Sequence, residues 1–287
     1  MKFQTSDGIE LFYEKSGQGV PCVYLHGGPG YWSKSFQFYA QELLEDNFEM
    51  VYLDQRGCGR SNHSETRSYS LTRLLDDLEE LRISLGINEW CVMGHSFGGI
   101  LAVNYANRFP ERTKGIILSN ATLHMYDSFS HQIHKGMDVL NMERETLQRD
   151  NLTSFMETFY SILGQLMEKQ AYFTFQYMDR NHKAAVDELD EGLDSDPAFQ
   201  EYVFSSEEYF QDFTSLTKTI TKPVLVIAGE FDDAVGPNHH KAFEFPNRQV
   251  CLLKGSHHPY IENRQAFKKA VLNFISHITG SNSPSNW

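Results

Sequence analysis

The stretch WCVMGHSFGGI, residues 90–100, decides the fold. Residues 90–93 form a short apolar run suited to a buried strand, and the GGILAVNYANRF that begins at Gly98 carries helical spacing. Between them stands Gly94-His95-Ser96-Phe97-Gly98, a G-x-S-x-G pattern. A serine hydroxyl is a poor nucleophile until a base takes its proton and donors hold the oxyanion it creates. A sharp turn between strand and helix meets part of that need. It lifts the Ser96 Oγ clear of the sheet edge and places it where the helix N-terminus favours developing negative charge. Gly94 and Gly98 leave room for the backbone crossing that such a turn requires.

The remaining parts of such a site must follow in the order serine, acid, histidine. In PVLVIAGEFDDAVGP, residues 223–237, a strand signal ends at Gly229 and leads to Asp232-Asp233. In VCLLKGSHHPYIE, residues 250–262, another strand signal leads to His257-His258. An orienting carboxylate and a base are therefore expected on two successive loops, each just past a strand. The residues alone require one member of each adjacent pair to face Ser96, and do not say which.

An oxyanion hole needs two amide donors. One is expected from Phe97, the residue after the serine. The other is expected from the glycine-rich loop of VYLHGGPG, residues 23–30, with Gly28 as the donor and Gly27 as the alternative. A second loop, DQRGCGRS at 54–61, lacks both nucleotide-phosphate patterns. It reads as a structural turn in which Asp54 and Arg56 form a polar network that braces the oxyanion loop.

The surrounding rhythm is α/β. Residues 9–15, 21–25, 48–53, 90–93 and 115–119 read as strands, and 35–45 and 98–109 as helices. Leu71, Leu74, Leu75, Leu78, Leu81 and Leu85 make a helical stripe, with Ser70 placed to cap it and Gly86 just past its end. Alternating strands and helices imply a mostly parallel sheet with helices on both faces. From about 122 to 215 the pattern turns helical and rich in Met, Phe, Tyr and Glu. From 223 the α/β rhythm returns: a strand, a short helix, a strand, and a closing helix over 260–277. The expected organisation is a core of residues 1–121 and 216–280, a helical cap inserted at 122–215, and a flexible tail at 281–287.

Composition narrows the function. With 287 residues, 40% hydrophobic and 22% charged, the chain has the makeup of a soluble globular protein. A net charge of −13 argues against nucleic acid or an anionic membrane as partner. No apolar run approaches the roughly 18 residues of a membrane span, and the polar N-terminus predicts no signal peptide. The four cysteines do not form a disulfide framework and fit reduced thiols, hence a cytoplasmic setting. Of the twelve histidines, the adjacent pairs at 239–240 and 257–258 point in different directions and His131-x-x-His134 has helical spacing but no second cluster, so neither a metal nor another cofactor is expected. The expected partner is a small-molecule or short-peptide substrate.

HGGPG at 26–30, DQRGCGRS at 54–61, GHSFGG at 94–99, GEFD at 229–232 and GSH at 255–257 together resemble the α/β-hydrolase fold. Within it the chain resembles the proline iminopeptidase group of serine aminopeptidases, with HGGPG and DQRGCGRS the more discriminating motifs. Carried over by position, the resemblance implies Ser96 as nucleophile, His257 as base and Asp232 as its orienting acid. It also implies the Gly28 and Phe97 amides as oxyanion donors and removal of a small or proline N-terminal residue from peptides or amino-acid amides. Such enzymes hold the substrate ammonium with carboxylates. Between Asp187 and Asp212 lie ten acidic residues and no Lys or Arg. Glu201 and Asp233, with Gly27, are the expected substrate-binding residues. Where proline-specific members often carry tryptophan after the serine, this chain has Phe97, which bears against strict proline preference. The competing expectations are a carboxylesterase or lactonase with the same triad, and a non-catalytic receptor on the same fold.

Overall fold

A computed structural model of the chain describes residues 1–280, and the tail expected at 281–287 lies outside them. Alternating side chains build the centre of the molecule. Along β3 (Val20–Leu25), Val23 and Leu25 join one apolar cluster while Cys22 and Tyr24 join another. β4 (Phe48–Leu53) repeats this, with Val51 and Leu53 facing one way and Met50 and Tyr52 the other. Successive strand side chains point to opposite faces, so both faces of this sheet are buried.

The other strands are β1 (Lys2–Gln4), β2 (Glu10–Gly17), β5 (Trp90–His95), β6 (Thr113–Ser119), β7 (Val224–Gly229) and β8 (Arg248–Leu253). The eight run in the order β1-β2-β4-β3-β5-β6-β7-β8. β1 and β2 are antiparallel to their neighbours, and every pair from β4 to β8 is parallel. β1 was not foreseen, since three residues are too few to show a period.

Helices α1 (Lys34–Leu44) and α9 (Arg264–Thr279) supply the cluster that holds Tyr24 and Tyr52. Helices α2 (Leu71–Ser84) and α3 (Gly98–Arg108) supply the opposite one. Ser70 caps α2 by accepting the Arg73 amide at 3.2 Å. Burying the α2 leucines drives this docking, and Leu78, 1% exposed, would cost about 2–5 kcal/mol if cut to Ala.

Between β6 and β7 the chain is helical: α4 (Met125–Leu140), α5 (Leu152–Glu168), α6 (Arg180–Leu189) and α7 (Pro197–Ser205). The short helix expected after β7 is a single 3-10 turn at His239–Ala242. The closing helix expected over 260–277 is broken at Asn263, whose φ of −140° and ψ of 55° leave the helical region, separating α8 (Pro259–Glu262) from α9. The Glu262 carboxylate accepts the Ser256 and Met178 amides, each at 2.6 Å, and so holds the loop that carries His257 and His258.

Candidate active site

β5 ends at His95, and Ser96 then takes φ = 53°, a left-handed conformation that costs an ordinary residue about 1–2 kcal/mol. The turn is held by its surroundings. The Ser96 amide donates to Ser119 O at 3.3 Å, and the Ser96 carbonyl accepts from Gly99 at 3.0 Å and Thr122 at 3.1 Å. Only glycine fits at 98, where a Cβ would lie 2.2 Å from the Leu25 carbonyl oxygen. α3 starts directly after the turn, so its N-terminus stands beside the serine. Among the described residues, the Phe97 and Gly28 amides donate to no acceptor.

The loop after β7 brings in Asp232, 0% exposed. His257 Nδ1 donates to its two carboxylate oxygens at 3.1 and 3.0 Å. The Ala234 and Val235 amides donate to Oδ1 at 2.9 and 3.2 Å, and Asn120 Nδ2 donates to Oδ2 at 2.7 Å. Burial alone would raise this carboxyl, but the His257 ring and the Asn120 amide outweigh it and hold it at about 2. Asp232 is thus a buried anion whose lone pairs are filled and whose charge is felt by His257 first and by His239 as well. Asn120 belongs to no motif, and nothing in the sequence marks it as a partner of that acid.

Two more histidines pack on His257. The His95 ring lies 4.7 Å and the His258 ring 5.0 Å from it, centroid to centroid. His258 Nδ1 is bonded to Tyr260 Oη at 2.9 Å, and Tyr177 stacks on its ring at 4.6 Å. Burial, then the neighbouring His257, pushes His95 down to about 3 and His258 well below the usual imidazole range. Both flanking rings stay neutral.

Gly27, Gly28, Ser96, Phe97 and His257 open on one cavity of about 780 Å³. Asp232 stands behind His257. Asp233 is turned elsewhere: it binds His131 Nε2 at 2.8 Å and Lys135 Nζ at 2.9 Å, and it does not line the cavity. Glu201 does line it, but its side chain is 68% exposed and paired with Arg67 at 3.3 Å. Two carboxylates that the sequence could not single out join it in the wall. Asp187 is paired with Lys183. Asp190 accepts from Tyr31 Oη at 2.7 Å, Trp32 Nε1 at 2.8 Å and Ser35 Oγ at 2.6 Å. These three donors are neutral, and among the described residues no cation forms an ion pair with Asp190.

The 54–61 loop divides its work. Asp54 accepts from the Ser33 amide at 2.8 Å and from Arg60 Nε at 2.8 Å, and so ties the segment after the glycine loop to the sheet. Arg56 takes no part in that; it is buried between Asp77, at 2.6 Å, and Asp7, at 2.9 Å. Cys58 is buried and its thiol is pushed up by desolvation, so it is not poised as a nucleophile. Among the described residues no group of three metal-ligating side chains is placed to hold an ion. No helix among them is long and apolar enough to cross a membrane.

Comparison with known proteins identifies the fold. The sequence profile of the α/β hydrolase fold matches residues 20–264. A proline iminopeptidase of Heyndrickxia coagulans is 26% identical over 278 residues, covering 93% of this chain and 94% of that one. The structure of a proline iminopeptidase-related protein from Thermus thermophilus superposes with a TM-score of 0.81 at 22% identity, covering 98% of each chain. An esterase from Exiguobacterium antarcticum superposes with a TM-score of 0.71 at 18% identity, covering 96% of this chain and 99% of that one.

Proposed function

We propose, from the premise that the chain belongs to the α/β hydrolase fold family, that it is a serine hydrolase working through an acyl-enzyme on substrates with a free amino-terminal group. The observation that carries this is that Ser96, held at φ = 53°, and a His257 ring braced by Asp232 line one cavity whose wall holds carboxylates.

In this reading His257 Nε2 takes the Ser96 hydroxyl proton as Oγ attacks the substrate carbonyl carbon. The carbonyl oxygen becomes an oxyanion, received by the Phe97 and Gly28 amides. Collapse of the tetrahedral intermediate breaks the bond to the leaving group, which departs with the proton from His257. Water then adds to the acyl carbon, giving a proton to His257, and the second collapse frees the acid and restores the serine. Asp232 keeps Nδ1 protonated and stabilises the imidazolium formed twice in each cycle. The α4–α7 segment acts as the cap of the site.

The free amine requirement rests on Asp190, which stands in the wall with no paired cation among the described residues, and on the relation to the proline iminopeptidase of Heyndrickxia. A second reading, a carboxylesterase, draws support from Glu201 and Asp187, which already carry their own cations. Alanyl and prolyl anilides, each free and N-acetylated, separate the two. The aminopeptidase reading expects the free amines to be cleaved at least about tenfold faster in kcat/KM, since burying an unpaired ammonium is costly. Equal or faster cleavage of the acetylated forms overturns it. Loss of all hydrolysis in Ser96→Ala is required by both readings.

A further inference from the structure

The cavity has two unlike walls, and each is fastened to a different loop of the site. One wall carries the carboxylates and is tied to the glycine loop. Ser195 Oγ donates to Gly30 O, Gln200 Nε2 donates to Pro29 O at 3.1 Å, and Tyr31 Oη donates to Asp190. The other wall belongs to α4 and α5 and is tied to the loop of the acid. Gln132 Nε2 donates to Ala234 O at 2.6 Å, Ser128 Oγ to Val235 O at 3.4 Å, and His131 pairs with Asp233.

That second wall carries a strip of apolar side chains, Met125, Phe129, Phe159, Tyr160 and Leu163, and Phe204 of α7 packs against it. Phe129 stacks on Phe159 at 4.4 Å with 16° between the rings, and Phe204 lies 5.8 Å from Phe129. Tyr160, 49% exposed, stands where the strip meets solvent. These rings line the same cavity as Ser96.

We propose that this strip is the leaving-group subsite and that it selects substrates whose leaving group is bulky and apolar, such as a peptide with an aromatic second residue. The inference rests on the serine-hydrolase reading above. The side is set by the proton. The leaving atom must receive it from His257, which is braced by Asp232, and the loop of Asp232 is bonded to α4 through Gln132 and Ala234. The acyl group, with its amine, then lies toward the carboxylate wall. Size points the same way. Given about 30 Å³ per water in the liquid, a cavity of about 780 Å³ holds roughly two dozen water-sized groups, far more than an alanyl or prolyl residue fills. Apolar rings gain by being covered, and full burial of a phenyl group is worth about one to two orders of magnitude in kcat/KM.

The test varies one side of the scissile bond at a time. Alanine ethyl ester and alanine 2-phenylethyl ester differ in the leaving group but little in its acidity. Alanine ethyl ester and phenylalanine ethyl ester differ only in the acyl group. The dipeptides Ala-Gly and Ala-Phe repeat the first comparison on an amide. The phenylethyl ester is expected to be cleaved about 10- to 100-fold faster than the ethyl ester, mostly through a lower KM. Phe129→Ala and Phe204→Ala should each reduce that ratio to within about threefold while leaving the acyl-group ratio in place. Ratios within one variant cancel any loss of folded protein. Equal rates for the two alanine esters overturn the proposal, as does a ratio that survives both variants or a collapse of the acyl-group ratio instead. Hydrolysis that persists in Ser96→Ala would overturn the reading of the site itself, which is a separate result.

Discussion

Gly27 stands so close to Ser96 that a methyl group on its α-carbon would lie 2.9 Å from the serine Cβ. The contact is tighter than real side chains make, and neither partner can yield freely. Ser96 is fixed by three backbone hydrogen bonds in a conformation that allows little rotation. A Gly27→Ala substitution should therefore move the serine or the glycine loop rather than unfold the sheet. The expected outcome is a fall in kcat of about 100-fold, because a displacement of about 1 Å costs on that order. Thermal unfolding and kinetics on the same preparation check this. A variant with full kcat would show that the loop adjusts without cost.

The two aspartates after β7 make an internal control. Asp232→Asn leaves the shape of the site but gives the His257 ring an amide in place of an anion, which can favour the wrong tautomer. A loss of about four orders of magnitude in kcat is expected. Asp233→Asn loses only bonds to His131 and Lys135, outside the cavity, and should stay within about threefold of the parent. Measuring both variants on one ester substrate decides between them, and the reverse pattern would transfer the acid's role to Asp233.

The pH dependence of kcat/KM has one histidine of the three-ring cluster to report. Burial pushes His95 down to about 3 and His258 well below the ordinary imidazole range. Neither gains a proton as pH falls from 8 toward 5. A base must be neutral to accept the serine proton, so activity should rise with increasing pH along a limb that corresponds to one proton. Stability should behave differently. The Asp232 carboxyl, held at about 2 in the fold against about 3.9 in an unfolded chain, contributes stability that is fully present above pH 4. That contribution is lost as pH falls through 2, and Asp232→Asn should flatten this part of the urea-midpoint profile.

Much of this arrangement was legible because its parts sit at fixed places relative to strands. Ser96, the Asp232-Asp233 pair and the His257-His258 pair each follow an apolar run directly. Choosing within each pair depends on which way a loop side chain leaves the backbone, and that is set by contacts remote in sequence. Asn120 reaches Asp232 across 112 positions, and Gln176 reaches His258 across 82. The same limit governed the acidic band of 187–212. One charge looks like another along the chain. In the fold, Glu201 faces solvent and Arg67, while Asp190 is drawn under Tyr31, Trp32 and Ser35, more than 150 positions away. The break at Asn263 was hidden because Glu262 continues the helical pattern while its carboxylate serves the histidine loop.

Asp190 and Glu201 also give the sharpest test of how an amine would be held. Both line the cavity, but their charges are not equally free to act. Glu201 is largely exposed and shares its charge with Arg67, an arrangement worth little at the protein surface. Asp190 accepts three bonds from neutral donors, which fix its position without cancelling its charge. A charged hydrogen bond to a substrate ammonium contributes about 1.5–3 kcal/mol, so Asp190→Asn should lower kcat/KM for the free-amine anilide by about 10- to 100-fold. The N-acetyl anilide, which has no charge to lose, should change by less than about threefold. Glu201→Gln should leave both within about threefold. The discriminating quantity is the ratio of free to acetylated substrate, since a variant that only loosens the contacts to Tyr31 and Trp32 would slow both substrates together. If the ratio holds steady in Asp190→Asn and falls in Glu201→Gln, the exposed carboxylate is the anchor, and Arg67 must turn away when substrate binds.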